Sequence, residues 1–583
     1  MKFIKNKIYL LALASLILIS CDEDSFLTKE NPNAYEASQF YKKAADFNSA
    51  LATVYGALQF QGVSGGDLVS EMAQSDLTFT FTFSPDRRYQ DLTYNDSDAS
   101  IVNKWNELHT GINRANQVIN NLALVGESVF NNPETMASIE AQARCLRAFY
   151  YFQLVTTYNT AVLHTEIITD ASQAQKELSS RETITQQVII PDLIFAKENL
   201  PKNWDGNNIG RVTSGTAGSL LGKLYLYDKN WPDAATEFKE VIESGAYSLV
   251  PNYEDNFTHY NELNSESILE TVYSFDLAEG ANGNTVDDTP NGSTGAESSE
   301  LARRVGKNRL GGNANILVSY PYLELLTNDK LANGTQGHSP RLSYTAAPNN
   351  FEGLYYGYAT ANEMASPRFN AAIAAYVKKY SNWYWQPTEI ALNRSGINFR
   401  HIRYADVLLM YAEALLEGGN TSDQTKINEA ITYIDMVRAR AGVFTIQDYL
   451  DNNSNQFPQL HISRIGEPEG TELPLVSATA ANLLTHLQRV ERPTELGYEG
   501  HRWKDLVRWG IVREVLEDAK AHEFKTVTEF SQSPANRAPL YLRELLRFSR
   551  NDDKHFNSAI DKYSTGFDFW PIPNLERQNN NAL

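Results

Sequence analysis

The chain has 583 residues, a formal charge of −20 and many aromatics, with 31 Tyr, 26 Phe and 8 Trp. That length supports one large or several smaller cores, and two cysteines exclude a disulfide framework. So acidic a surface repels nucleic acid and anionic polymers, so that neutral or basic ligands are expected unless the acidity serves solubility alone.

The first twenty residues read as a leader. Lys2, Lys5 and Lys7 precede an apolar run, Ile8 to Ile19, too short to span a membrane comfortably. The run closes as Leu18-Ile19-Ser20-Cys21, which resembles a bacterial lipobox and implies cleavage before Cys21 and acylation of its thiol. Asp22-Glu23-Asp24 then resembles the acidic export tag of surface-facing Bacteroidetes lipoproteins, or serves as a plain tether. The other cysteine, Cys145, sits inside a helical pattern and reads as a small buried hydrophobe. No Cys/His spacing suggests zinc, and no cofactor is expected.

From about residue 36 the pattern is helix after helix. Apolar periodicity predicts helices over 105–122, 137–158, 186–200, 214–227 and 231–244, the last opened by Trp231-Pro232. Small residues where large ones meet, as in Leu221-Gly222-Lys223-Leu224, resemble tetratricopeptide units of irregular period. Between about 250 and 397 turn formers accumulate, with short apolar runs such as Ile268 to Tyr273 readable as strands. Helices return at Asn398, at 428–441 and at 480–499. The fold class is therefore mainly α: an irregular tetratricopeptide-like scaffold carrying a long loop-rich insertion with short strands. Loops on such a frame are where binding is expected.

The stretch from Phe399 to Gly419 reads as one helix stopped by a Gly pair. Arg400, Arg403, Asp406, Glu413 and Glu417 share a sector of a largely apolar helix, so these charges are expected to be buried and paired. Farther on, Glu499, Arg502, Asp505 and Arg508 recur every third residue. They read either as a ligand clamp or as fold-specifying pairs along one helix, and the interleaved Trp503, Leu506 and Trp509 favour the second.

These stretches carry a family resemblance. Arg403-Tyr404-Ala405-Asp406-Val407-Leu408-Leu409-Met410-Tyr411-Ala412-Glu413, Ile434 to Gly442, and Glu499-Gly500-His501-Arg502-Trp503 resemble the RagB/SusD family of outer-membrane nutrient-binding lipoproteins. Arg144 to Phe152, Gly210-Arg211-Val212-Thr213 and Trp570-Pro571-Ile572-Pro573 fit as well. The resemblance implies a leader over 1–20 and a single domain over 21–583. In it, helical scaffold at about 36–250 and 398–583 flanks loop-rich chain at about 251–397. It further implies a lipid-anchored, non-enzymatic protein facing the cell exterior. Such a protein captures oligosaccharide or polysaccharide and delivers it to a SusC-like TonB-dependent transporter, with a peptide-cargo variant as the alternative.

Sugar binding requires flat apolar faces beside a few hydrogen-bonding groups. Trp383-Tyr384-Trp385, between Asn382 and Gln386, is the first candidate, since at least one of three consecutive rings faces outward. Arg87, Tyr89 and Tyr94, after the Phe79-Thr80-Phe81-Thr82-Phe83 alternation, are the second, and Tyr355 with Tyr356 the third. Two other readings stay open. Gly62-Val63-Ser64-Gly65-Gly66 matches the G-x-S-x-G of a hydrolase elbow but lacks the preceding strand such an elbow needs. A tetratricopeptide scaffold binding only protein would use none of these rings.

Overall fold

The computed structural model describes residues 40–81, 84–168, 170–274, 297–306, 312–334, 339–347, 355–356, 375–384, 395–418, 422–464, 471–523 and 555–583. Cys21, the leader and acidic tag, Phe83, Trp385, Gln386 and most of the turn-rich run 280–300 lie outside them.

The N-terminal half is a stack of helices: α1 (Ala44–Gly56), α2 (Ala99–Val129), α3 (Pro133–Tyr158), α4 (Ile190–Asn199), α5 (Ser214–Tyr227) and α6 (Trp231–Glu243). From α2 onward each packs on the next in chain order. The termini explain where several begin. Asn132 caps α3 by accepting from the backbone N–H groups of Glu134 and Thr135, and Pro133 occupies the first turn. Thr213 and Thr216 form a reciprocal box at α5. Close packing of α5 on α6 relies on Gly222, where a Cβ would lie 2.7 Å from the Phe238 ring. Cys145 is buried in α3, and burial pushes its thiol pKa up.

The stack then passes from α6 directly to α7 (Tyr404–Glu417), which lies against α8 (Gln424–Arg440). Nearly all of α7 is buried, and Asp406 and Glu413 are interior, as the sequence pattern requires, whereas Glu417 is only half-buried and makes no ion pair with the described residues. One expectation is corrected here: 399–403 is a strand, not the first turn of the helix. Phe399–Arg403 pairs antiparallel with Ser267–Thr271, placing Arg400 opposite Glu270 with Nε 3.2 Å from the carboxylate. The pairing overrides helix propensity because it delivers both Arg400 and Arg403 to buried carboxylates.

A small sheet formed by Thr78–Phe79, Leu317–Val318, Tyr376–Val377 and Ala346–Ala347, adjacent in that order, carries a second apolar cluster. In it Phe79, Phe81, Leu317, Tyr355, Tyr356 and Tyr376 pack apart from the main core. Toward the C-terminus the helix read at 480–499 is broken into Ala480–His486, a π turn over Leu487–Glu491, and Arg492–Leu496. Pro493, which has no N–H to donate, follows the π turn. Among the described residues no helix is long and apolar enough to cross a membrane.

Candidate functional site

The site is built from a buried floor upward. Asp329, Glu491, Glu495, Glu266 and Glu499 alternate with Arg341, Arg438, Arg403, Arg440 and Lys379 in one almost fully buried lattice. Arg403 alone reaches Glu266 (2.6 Å), Glu495 (2.7 Å) and Glu499 (2.7 Å). Burial by itself would raise the Glu495 pKa, but the guanidinium groups of Arg440, Arg403 and Arg341 pull it down to about 2. A second lattice joins Asp406 to Lys223 and Arg492, Arg492 to Asp505, and Arg508 to Asp505 and Glu413. The periodic charges after Glu499 are thus structural, but only Asp505 and Arg508 pair with each other along their helix. Arg502 instead clamps Asp76 through two bonds, at 2.7 and 2.8 Å.

Lys379 connects this floor to the surface. Its ammonium donates to the Glu495 carbonyl and to the Glu499 carboxylate, both at 2.9 Å, and lies over the Phe257 ring at 4.5 Å. Burial lowers its pKa to about 8, against the opposing pull of Glu499. The next residue, Tyr380, has φ +59°, a left-handed conformation costly for a bulky side chain. That turn sends the Tyr380 ring down onto Phe399, with ring centroids 5.1 Å apart, and lets the chain emerge as Trp383-Tyr384.

There the rings collect. Trp383 lies edge-on to Tyr384 (5.5 Å) and tilted against Tyr344 (5.9 Å), with the Lys378 ammonium 4.0 Å above its ring. Tyr384 stacks on His259 at 5.6 Å and 20°, and its hydroxyl takes a hydrogen bond from the His259 backbone N–H at 3.0 Å. Desolvation lowers the His259 pKa, so the imidazole is neutral at pH 7, and its Nδ1 lies 2.9 Å from the same hydroxyl. Tyr260, tilted at 5.3 Å from Tyr384, is 72% exposed. Tyr344 is held from below: its hydroxyl donates to Glu254, and burial with that nearby charge pushes its pKa up to about 12. Trp383, Tyr384, Tyr344 and His259 are half-buried, so the group forms a platform whose rings are fixed on one side and wet on the other.

Of the residues singled out in the sequence, Trp383 and Tyr384 are on this platform, whereas Trp385 is outside the described residues. Asn382 is fully buried and accepts from Ser395 at 2.9 Å, so it supplies no ligand contact here. Tyr89 and Tyr94 are corrected from surface rings to core: they stack at 5.3 Å and seat Trp570 and Phe567 of the C-terminal segment. Arg87 is likewise buried, paired with Asp91 at 2.7 Å. Tyr355 and Tyr356 are also interior: Tyr355 stacks on Tyr376, and the Tyr356 N–H holds the Trp383 carbonyl at 2.8 Å. They support the platform rather than belong to it. His259, Tyr260 and Tyr344 were missed in the sequence. The available signal was His259-Tyr260 in a polar turn, where neighbouring residues offer no apolar periodicity to bury a ring.

Ser64 is fully buried, and its hydroxyl is spent on the Leu58 carbonyl and on Tyr273 (2.6 Å). It follows a 3-10 turn instead of a strand, so the elbow geometry is not formed. Among the described residues no group of His, Cys, Asp and Glu is placed to hold a metal ion.

Comparison with known proteins gives this architecture its family. Residues 310–583 match the SusD family, and residues 25–226 match a second family model described as "Starch-binding associating with outer membrane". The chain belongs to the SusD-like family. Among SusD-like relatives, protein P25 of Formosa agariphila is 23% identical over 568 residues, covering 91% of this chain and 95% of that one. A SusD superfamily protein from Bacteroides vulgatus has the same fold, with TM-score 0.70 and 23% identity over 93% of this chain and 98% of its own. A laminarin binding SusD-like protein superposes with TM-score 0.62, at 23% identity over 93% and 98% of the two chains.

Proposed function

We propose that this protein is a glycan-binding, non-enzymatic lipoprotein of the outer membrane, which captures oligosaccharide on the platform of Tyr260, Trp383, Tyr384 and Tyr344. The observation that carries the reading is the exposed Tyr260 ring beside the half-buried Trp383 and Tyr384 rings. Such faces suit the C–H-rich side of a pyranose, while the exposed Tyr260 also offers a hydroxyl to its oxygens. Anchoring through acylated Cys21 keeps the platform at the cell surface, and the cargo passes to a SusC-like TonB-dependent transporter. The family description and the laminarin-binding neighbour support this assignment of ligand class and location.

A glycan array probed with the full chain, followed by titration of the best hit, tests the reading. Trp383→Ala is expected to weaken binding about tenfold, the effect of losing roughly 1.4 kcal/mol of ring contact. Unchanged affinity in Trp383→Ala and Tyr260→Ala would remove the platform, and binding to peptides alone would replace glycan as cargo. Delivery is tested by affinity purification from outer membranes: recovery without any TonB-dependent barrel would sink that part.

A further inference from the structure

Lined by none of the platform residues, a cavity of about 300 Å³ opens among residues 203–213, Tyr247 and the stretch 263–270. Its size is at the small end of ligand sites, which run from about 300 to 1,000 Å³. The half-buried Trp204 offers a ring held in place, since its indole N–H donates to the Val212 carbonyl at 2.8 Å. Ile209, 55% exposed, stands at the rim. Gly210 adopts φ +93°, and a Cβ there would press on Leu263 at 3.2 Å, so glycine lets the 209–211 turn close against the opposite wall.

Arg211 sets the chemistry. Every arginine of the two interior lattices is matched to carboxylates, but Arg211, on the cavity wall, makes no ion pair with the described residues. Its side chain has one long hydrogen bond, 3.4 Å to Gln142. The one carboxylate in that wall, Glu270, is already committed: it accepts from the Asn398 amide at 2.7 Å and faces Arg400 at 3.2 Å. The wall therefore presents a guanidinium without a counter-charge next to a flat ring. A guanidinium fork matches carboxylate or sulfate oxygens through two parallel bonds.

We infer that this cavity binds an acidic sugar unit, with its carboxylate or sulfate ester on Arg211 and its ring against Trp204. The inference reverses the ligand preference suggested by the net charge of −20. That charge acts at a distance and is screened beyond about 8 Å in physiological salt, whereas the Arg211 contact is direct. It rests on the glycan reading only in taking the ligand to be a saccharide.

Calorimetric titration of the full chain with oligo-uronate, sulfated and neutral oligosaccharides of equal length tests it. At least one anionic probe is expected to bind better than the neutral one, and which one does so identifies the acidic group. Arg211→Gln should weaken that binding roughly ten- to hundredfold, the range for a lost charged hydrogen bond. Arg211→Lys should fall between, and the neutral probe should bind both Arg211 variants as it binds the parent. Unaltered thermal unfolding of both Arg211 variants separates lost contact from lost fold. Equal binding of all three probes, no binding of either anionic probe, or indifference to Arg211→Gln overturns the site. Loss of saccharide binding at both places would instead overturn the glycan reading itself.

Discussion

The lattice around Glu495 and the platform at Tyr260 use similar residues to opposite ends. In the interior the aromatic hydroxyls close gaps: Tyr253 donates to the Glu495 carbonyl at 2.9 Å and Tyr322 to the Pro493 carbonyl at 2.7 Å. On the platform Tyr260 is left with its ring in water. Within the lattice every charge is answered by another charge, so removing one member strands its partners. Outside, the Tyr260 ring can be removed without breaking a hydrogen bond among the described residues. The difference separates residues that define the fold from residues available to a ligand, although both sets lie within a few positions of each other along 378–384.

The largest effect should follow from Glu495→Ala, which leaves Arg341, Arg403 and Arg440 without a shared carboxylate. Breaking a buried pair from one side costs about 3–5 kcal/mol. The expected outcome is a large fall in thermal midpoint or in soluble yield. A variant as stable as the parent would mean that the lattice is not what holds 378–384 in place.

Acid should attack the same region in two stages. His401 and His501 are driven down to about 3 by burial first and by neighbouring cations second, so both are neutral in the fold. An unfolded histidine takes up a proton near pH 6.5, so stability begins to fall as pH drops below that value. Glu495, held at about 2, is depressed relative to its unfolded carboxyl near 4.3. Its contribution is complete above about pH 4.3 and is lost as pH falls toward 2. The thermal midpoint, followed by circular dichroism at a series of pH values, should therefore show a shallow decline from about 6.5 and a steeper one below about 4.3. A flat profile down to pH 3 would contradict the pairing.

Next in size is a matched pair of tyrosines. Tyr89→Ala empties a core position between Tyr94 and Trp570 and should cost about 3 kcal/mol, with ligand affinity retained in the folded fraction. Tyr260→Ala should do the reverse, lowering affinity about tenfold while stability changes by less than about 0.5 kcal/mol. Thermal unfolding and titration on both variants decide it. If Tyr89→Ala lost affinity and Tyr260→Ala lost stability, the division between the two regions would fail.

How far the sequence foretold this follows from the same division. Helical periodicity located α3, α5, α6 and α7 within a few residues, because apolar spacing is a local signal. Buried pairing of Asp406 and Glu413 was legible too, since a helix apolar on nearly every side leaves its charges nowhere else to go, whereas Arg403 is paired from the strand that precedes that helix. The strand at 399–403 was not, because its cause is Ser267–Thr271, some 130 positions away. Exposure of rings was least legible. Tyr89 and Tyr94 lie in a polar loop pattern but are buried by Phe567 and Trp570 from the far end of the chain.

The smallest expected effect concerns Ser64, the residue that a hydrolase reading would make indispensable. Ser64→Ala removes hydrogen bonds to the Leu58 carbonyl and the Tyr273 hydroxyl. Tyr273 retains a contact with the Gln59 carbonyl at 3.3 Å, so only part of the local pairing is lost. The cost should be about 1 kcal/mol, seen as a small shift in thermal midpoint. Any release of product from polysaccharide should be the same for both proteins, because a serine buried among its own partners is out of a substrate's reach. Turnover by the parent that disappears in Ser64→Ala would reverse the assignment, since no loss of 1 kcal/mol in stability could abolish an activity in a protein that remains folded.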